Sequence, residues 1–117
     1  NKYPKVNYIG NKEKLAKWIC DYFPDDANSI FDAFSGGSSI GYEAKKRGYK
    51  VISNDILKIN YYLAQSLIEN NYETLTQNDI DIIFTGELKK GFMYKNYSEV
   101  FFFANECMEL DLYRENI

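Results

Sequence analysis

The chain has 117 residues, 45% of them hydrophobic and 17% aromatic, with a formal charge of −3 at neutral pH and an isoelectric point near 5.0. That length suits one domain, since single cores take about 100 to 200 residues, and so much apolar and aromatic content excludes a disordered chain. The acidic balance argues against a free-standing nucleic-acid binder, which normally carries a basic surplus, and the absence of histidine and of any CxxC pair excludes the usual zinc sites and a Cys-His nucleophile.

Cys20 and Cys107 read as reduced thiols of a cytoplasmic protein. No stretch approaches the roughly 18 apolar residues of a membrane span, and the first residues lack the apolar run of a signal peptide. Charge is unevenly spread. Lys2, Lys5, Lys12, Lys14 and Lys17 face only Glu13, whereas the last residues hold Glu106, Glu109, Asp111 and Glu115 against Arg114. The N-terminal side is therefore the expected place for an anion.

Between Asn11 and Tyr22, Leu15, Trp18, Ile19 and Tyr22 recur on one helical face, with Asn11 placed to cap it and Pro24 to close it. Ser29 to Phe34 is a short apolar run before Gly36-Gly37, the pattern of a buried parallel strand. A helix from Ser39 to Arg47 stops at Gly48, and Lys50 to Asn54 forms the second strand. Ile56 to Glu69 predicts a helix with Ile59, Tyr62, Leu63 and Leu67 inward. Strand, helix and strand within about 25 residues make a βαβ unit, so the two strands run parallel. Beyond Thr74 the pattern weakens: Ile80, Ile82, Ile83 and Phe84 suit a helix starting near Thr76 or a strand, and Phe92 to Phe103 is aromatic without a clear period. Asn105 to Ile117 predicts a helix with Met108, Leu112 and Ile117 on one face. A start at Asn1 and an end inside a helical pattern give the expectation of a fragment.

The chemistry concentrates at the strand ends. A glycine turn lets backbone take positive φ or lie against a ligand, Ser38 and Ser39 stand where either caps the next helix, and Asp32 and Asp55 close two neighbouring parallel strands. Ligands of open α/β sheets bind at that edge, and an acid about 20 residues past the glycines reaches ribose hydroxyls. The plain structural readings stand beside this one: Gly-Gly-Ser-Ser serves any strand-to-helix turn, and Asn54-Asp55 serves as a helix cap. No Gly-Lys-Ser/Thr follows the glycines, which excludes a Walker loop, and Gly36-Gly37-Ser38-Ser39-Ile40-Gly41 departs from the dinucleotide fingerprint. An uncharged nucleoside with a short tail fits better. Lys12, just inside the first predicted helix, conflicts with the helix dipole unless a bound carboxylate lies near.

Tyr8-Ile9-Gly10-Asn11-Lys12, Phe31 to Ser39 around Asp32-Ala33-Phe34-Ser35-Gly36-Gly37-Ser38, and Ile52 to Ile56 around Asn54-Asp55 resemble motifs X, I and II of DNA adenine N6-methyltransferases in which motif X leads the chain. Phe102-Phe103-Ala104-Asn105 onward to Arg114-Glu115 resembles the segment that comes next in bacterial restriction-modification members. The resemblance implies an α/β, Rossmann-like methyltransferase fold, present here as the N-terminal portion of a parallel sheet with flanking helices in one cofactor-binding domain. It implies S-adenosylmethionine as cofactor, with Tyr8, Gly10 and Lys12 near the methionine end. By the same resemblance Asp32, Phe34, Ser35, Gly36, Gly37, Ser38 and Ser39 lie under methionine and sugar, Asp55 on the ribose and Ile56 beside it. The reaction it implies is methyl transfer to the exocyclic amine of a flipped adenine in DNA.

One departure matters. The family's catalytic Asp-Pro-Pro-Tyr has no counterpart, since the only prolines are Pro4 and Pro24, so no residue here takes a catalytic role. DNA contact is expected through regions absent from this chain, and a parallel sheet needs more strands, from a missing C-terminal half or another copy. A small-molecule methyltransferase with the same pocket, and an interaction module that no longer uses a nucleotide-binding fold, are the rival readings.

Overall fold

The computed structural model describes residues 3–4 and 9–117, and the chain divides into two compact units, Asn1–Glu73 and Thr74–Ile117. In the first unit, strands β1 (Ser29–Asp32) and β2 (Lys50–Ser53) pair in parallel, in register from Ser29↔Lys50 to Asp32↔Ser53. Helix α2 (Ser39–Lys46) makes the crossover between them, as the βαβ pattern predicts. The pairing runs past the strand ends: Asn54 N–H donates to the Asp32 carbonyl at 2.8 Å and Ser35 N–H to the Asn54 carbonyl at 3.0 Å.

Close approach holds α2 on the sheet. A Cβ at Gly41 would lie 3.2 Å from both Val51 Cγ1 and Ile68 Cδ1, so the missing side chain sets the distance from helix to strand, and Ala44 one turn on is fully buried. The helix stops at Gly48, whose φ of +92° suits glycine. Arg47 ties this end to the N-terminal helix by bonding Asp21, Glu43 and the Lys17 carbonyl. Among the described residues, only one sheet face is covered. Ile30 and Val51 are half-buried, while Phe31 and Ile52, register partners on the other face, stay 64% and 52% exposed. The expectation of a strand buried on both faces is thereby corrected, and β1 ends two residues before Phe34.

The first helix also differs from its sequence pattern. Helix α1 spans only Ala16–Cys20, buries Ala16 and Cys20, and leaves Leu15, Trp18 and Tyr22 exposed. Trp18 and Tyr22 meet edge to face at 4.9 Å, so these two rings of the stripe cover each other. Asn11 does not cap α1; its Oδ1 accepts from Glu13 N–H at 3.1 Å, in a turn that precedes the helix.

Helix α3 (Lys58–Ala64) runs into a π-helical turn, Gln65–Glu69, closed by Asn70 N–H on the Gln65 carbonyl at 2.9 Å. The wider turn shifts the inward register by one residue. Ile68 is buried where an unbroken α-helix would place Leu67, and Asn60 is buried while Ile59 and Tyr62 face outward. Lys45 Nζ crosses from α2 to the carbonyls of Leu67, Ile68 and Asn70, at 3.2, 2.8 and 2.6 Å. It closes a helix end where the backbone supplies no further turn of N–H groups.

The second unit is helical. Of the two alternatives for residues 76–84 the helix holds: α4 (Gln77–Phe84) starts with a reciprocal cap in which Asp79 N–H donates to Thr76 Oγ1 and Thr76 N–H to Asp79. Helix α5 (Phe92–Tyr97) occupies the first half of the aromatic segment, and Phe101, Phe102 and Phe103 come after it as exposed loop. Helix α6 (Ala104–Asn116) supplies both of its neighbours with caps. Asp111 accepts from the backbone N–H groups of Gly91, Met93 and Tyr94, each at 2.9 Å, at the start of α5. Asn116 donates to the carbonyls of Ile82, Ile83 and Thr85 at the end of α4. The buried face of α6 is therefore Cys107, Asp111 and Leu112. Met108 is half-buried and Ile117 exposed, so the expected apolar face is displaced by the capping one.

Burial pushes the Asp111 carboxyl up, but its three backbone donors outweigh that and hold it below the usual carboxylate range. A depressed native value adds stability above the ordinary carboxylate pKa, and this is lost as pH falls through the depressed value. Asp111→Asn is therefore expected to melt lower than wild type near neutrality, with a gap that closes as the solution is acidified. Circular dichroism melts across that range measure it, and a gap independent of pH contradicts the assignment.

Candidate functional site

The register of β1 and β2 decides the geometry of the site. With Asp32 opposite Ser53, both strands deliver their acids at the same C-terminal edge, and the turn Ala33–Ser38 folds over it. Gly36 has a φ of +50° and its N–H donates to Asp55 Oδ2 at 2.8 Å. Asp55 thus binds the glycine turn of the first strand from the end of the second. Its other oxygen accepts from Leu57 N–H at 3.0 Å and from the Asn60 side-chain amide at 2.9 Å. One carboxylate therefore closes a two-residue turn just before α3 and anchors the glycine turn of β1.

These elements surround an open cavity of about 620 Å³, within the range of small-molecule sites. Of the residues singled out from sequence, Gly10, Lys12, Asp32, Phe34, Ser35, Gly36, Gly37, Ser39, Asp55 and Ile56 all line it. Tyr8 lies outside the described residues. Ser38 does not line the cavity: it is fully buried beneath the turn. Ile9, Asn11, Ile40 and Leu57 also line it; each is a sequence neighbour of a residue singled out, and none carries a charge or a glycine that would mark it. Tyr3 is a further participant that no motif spacing marks. Its hydroxyl donates to the Gly37 carbonyl and its ring meets Tyr42 edge to face at 5.6 Å.

The two acids differ. Burial is the main cause that raises the Asp32 carboxyl above the usual range, and the negative charge of Asp55 adds to it, while Phe34 N–H and Lys12 pull the other way. The Leu57 N–H, the Asn60 amide and the Gly36 N–H hold Asp55 below that range. The shared edge thus sets two neighbouring carboxyls apart, Asp32 shifted up and Asp55 shifted down. Phe34, Ile56 and Ile9 stand almost wholly exposed at the rim, an apolar border around a polar floor. Lys12 lies four residues before α1 instead of inside its first turn, so the helix dipole creates no need for an anion beside it, and its positive charge acts on Asp32.

Neither serine caps α2 through its side chain. Ser38 occupies the cap position in the left-handed region, φ +63°, and its Oγ, like those of Ser35 and Ser53, is buried without a hydrogen-bond partner among the described residues. A left-handed non-glycine residue costs about 1 to 2 kcal/mol, and a buried unpaired hydroxyl adds to that. Ser38→Gly is expected to stabilise the fold by about 1 kcal/mol after glycine's own entropy cost. A thermal melt measures this, and a lower melting temperature counts against it.

Residues 8–116 match the family model of the D12 class N6 adenine-specific DNA methyltransferases. The chain is 65% identical over 116 residues to the Type II methyltransferase M2.HphI of Haemophilus parahaemolyticus, covering 99% of this chain and 34% of that protein. It is 31% identical to the Type II methyltransferase M.CviAII of Paramecium bursaria Chlorella virus 1, over 97% of the chain and 38% of the relative. It is 40% identical to the Type II methyltransferase M.FokI of Planomicrobium okeanokoites, over 57% of the chain and 10% of the relative. The chain thus spans about a third of the length of the first two relatives. No solved structure matches it.

Proposed function

The chain belongs to the D12 class of N6 adenine-specific DNA methyltransferases, and on that premise we propose that it is the S-adenosylmethionine-holding part of an enzyme that methylates adenine in DNA. The observation that carries this reading is the convergence of Asp32, Asp55 and the Gly36-Gly37 turn on one cavity at the C-terminal edge of a parallel strand pair. Its volume, its apolar rim and its two acids suit an adenosyl group bearing a short charged tail. In this reading β1, α2 and β2 are the N-terminal portion of a Rossmann-like methyltransferase sheet.

Asp55 accepts from the ribose, Ile56 covers the base, the Asp32 to Ser39 turn underlies sugar and methionine, and Gly10 with Lys12 borders the methionine end, where Tyr8 also belongs. When bound, the cofactor supplies a methyl group on a sulfonium. These 117 residues hold no Asp-Pro-Pro-Tyr; target-base contact and methyl transfer belong to the longer protein of which this chain is the cofactor-binding part. That protein's further segments are the natural cover for Phe31 and Ile52. No helix among the described residues is long and apolar enough to cross a membrane.

Isothermal titration with S-adenosylmethionine tests the assignment. Wild type is expected to bind, and Asp55→Ala to bind at least about ten-fold more weakly, the loss expected from a hydrogen bond to a charged group. No heat from wild type would favour an interaction module instead.

Asp32 gives an independent expectation. A cationic ligand prefers the ionised acid, so affinity falls as acidification protonates Asp32 at its raised pKa, while Asp55, held low, stays charged over that range. Titrations from neutral to weakly acid pH should show this decline in wild type and lose it in Asp32→Asn. A decline of the same size in the variant would remove Asp32 from the site.

A further inference from the structure

We propose that Asn60 is a positioning residue that makes Asp55 a contact to a single ribose hydroxyl, by occupying one carboxylate oxygen and leaving the other to face the cavity. This rests on the reading of Asp55 as the ribose acceptor. Asn60 is fully buried near the start of α3, the largest side chain of the described residues to be so enclosed. An ionised carboxylate only accepts hydrogen bonds, so the amide's NH2 end must face Asp55, and it donates to Oδ1 at 2.9 Å.

Leu57 N–H donates to the same oxygen at 3.0 Å. Two donors use both in-plane lone pairs of Oδ1. Oδ2 carries the Gly36 N–H at 2.8 Å and keeps one lone pair, on a side chain that lines the cavity. One acceptor direction serves one hydroxyl, whereas a carboxylate with both oxygens open takes both hydroxyls of a vicinal diol. Burial makes the arrangement rigid, because turning the carboxylate would take the acceptor away from the enclosed amide.

The test is isothermal titration of the intact protein with S-adenosylhomocysteine and with its 2′-deoxy and 3′-deoxy forms. Wild type is expected to lose about ten- to a hundred-fold in affinity for one deoxy form and little for the other. Asn60→Leu, similar in volume but without the amide, leaves one lone pair open on each carboxylate oxygen and is expected to bring the two deoxy forms to comparable affinity. Equal losses for both forms in wild type would overturn the single-hydroxyl contact and leave the ribose reading standing. No loss for either form would overturn both, and selectivity retained by Asn60→Leu would overturn the role of Asn60. The wild-type titrations decide the single-hydroxyl contact whether or not the variant folds.

Discussion

A buried or half-buried carboxylate that gathers backbone N–H groups is the interaction on which both units depend. Asp55 takes donors from Gly36 and Leu57 and so joins the turn after β1 to the start of α3. Asp111 takes three donors around the start of α5. An ionised acceptor bonded to backbone is stronger than a neutral one, and here it fixes loops whose apolar side chains, Phe34 and Ile56 among them, are exposed and do not pack them down. Gly91 is explained by the same contact: a Cβ there would stand 2.7 Å from Asp111 Oδ1, so the carboxylate occupies the space a side chain would need.

In the first unit this constraint also makes the cavity. The parallel pair aims Asp32 and Asp55 at one edge, and the Gly36 anchor bends the turn across it. The two acids then part in character, one raised mainly by desolvation and the other lowered by the donors of Leu57, Asn60 and Gly36.

Much of this was legible in the sequence, because the βαβ unit rests on local signals. Gly48 at a helix end, acids at strand ends and a glycine pair between them each report backbone geometry that few other residues adopt, and ten of the twelve residues singled out line one cavity. What failed was the choice of buried faces. Leu15, Trp18 and Tyr22 have helical spacing but lie exposed, while Ala16 and Cys20 pack inward. Periodicity locates an apolar stripe and does not say which part of the protein covers it. The caps failed for a related reason: Asn11 and Ser38 are good cap residues by type, but a turn claimed one and a left-handed backbone the other. Polar residues buried for their bonds, Asn60 and Asp111 above all, lie outside any hydrophobic pattern.

The π-turn at Gln65–Glu69 carries a consequence for how such chains diverge. Each residue of an α-helix advances about 100° around its axis, so one surplus residue rotates every later side chain unless it is wound into a wider turn, which keeps the turns on both sides of it in phase. Lys45 grips the carbonyls of Leu67 and Ile68 within the bulge and of Asn70 just past it, which holds Ile68 in its buried place despite the added length. Homologous genes can thus differ by one codon between positions 65 and 69 while keeping the same sheet, and a sequence alignment gap falling there marks a local winding change that the core absorbs.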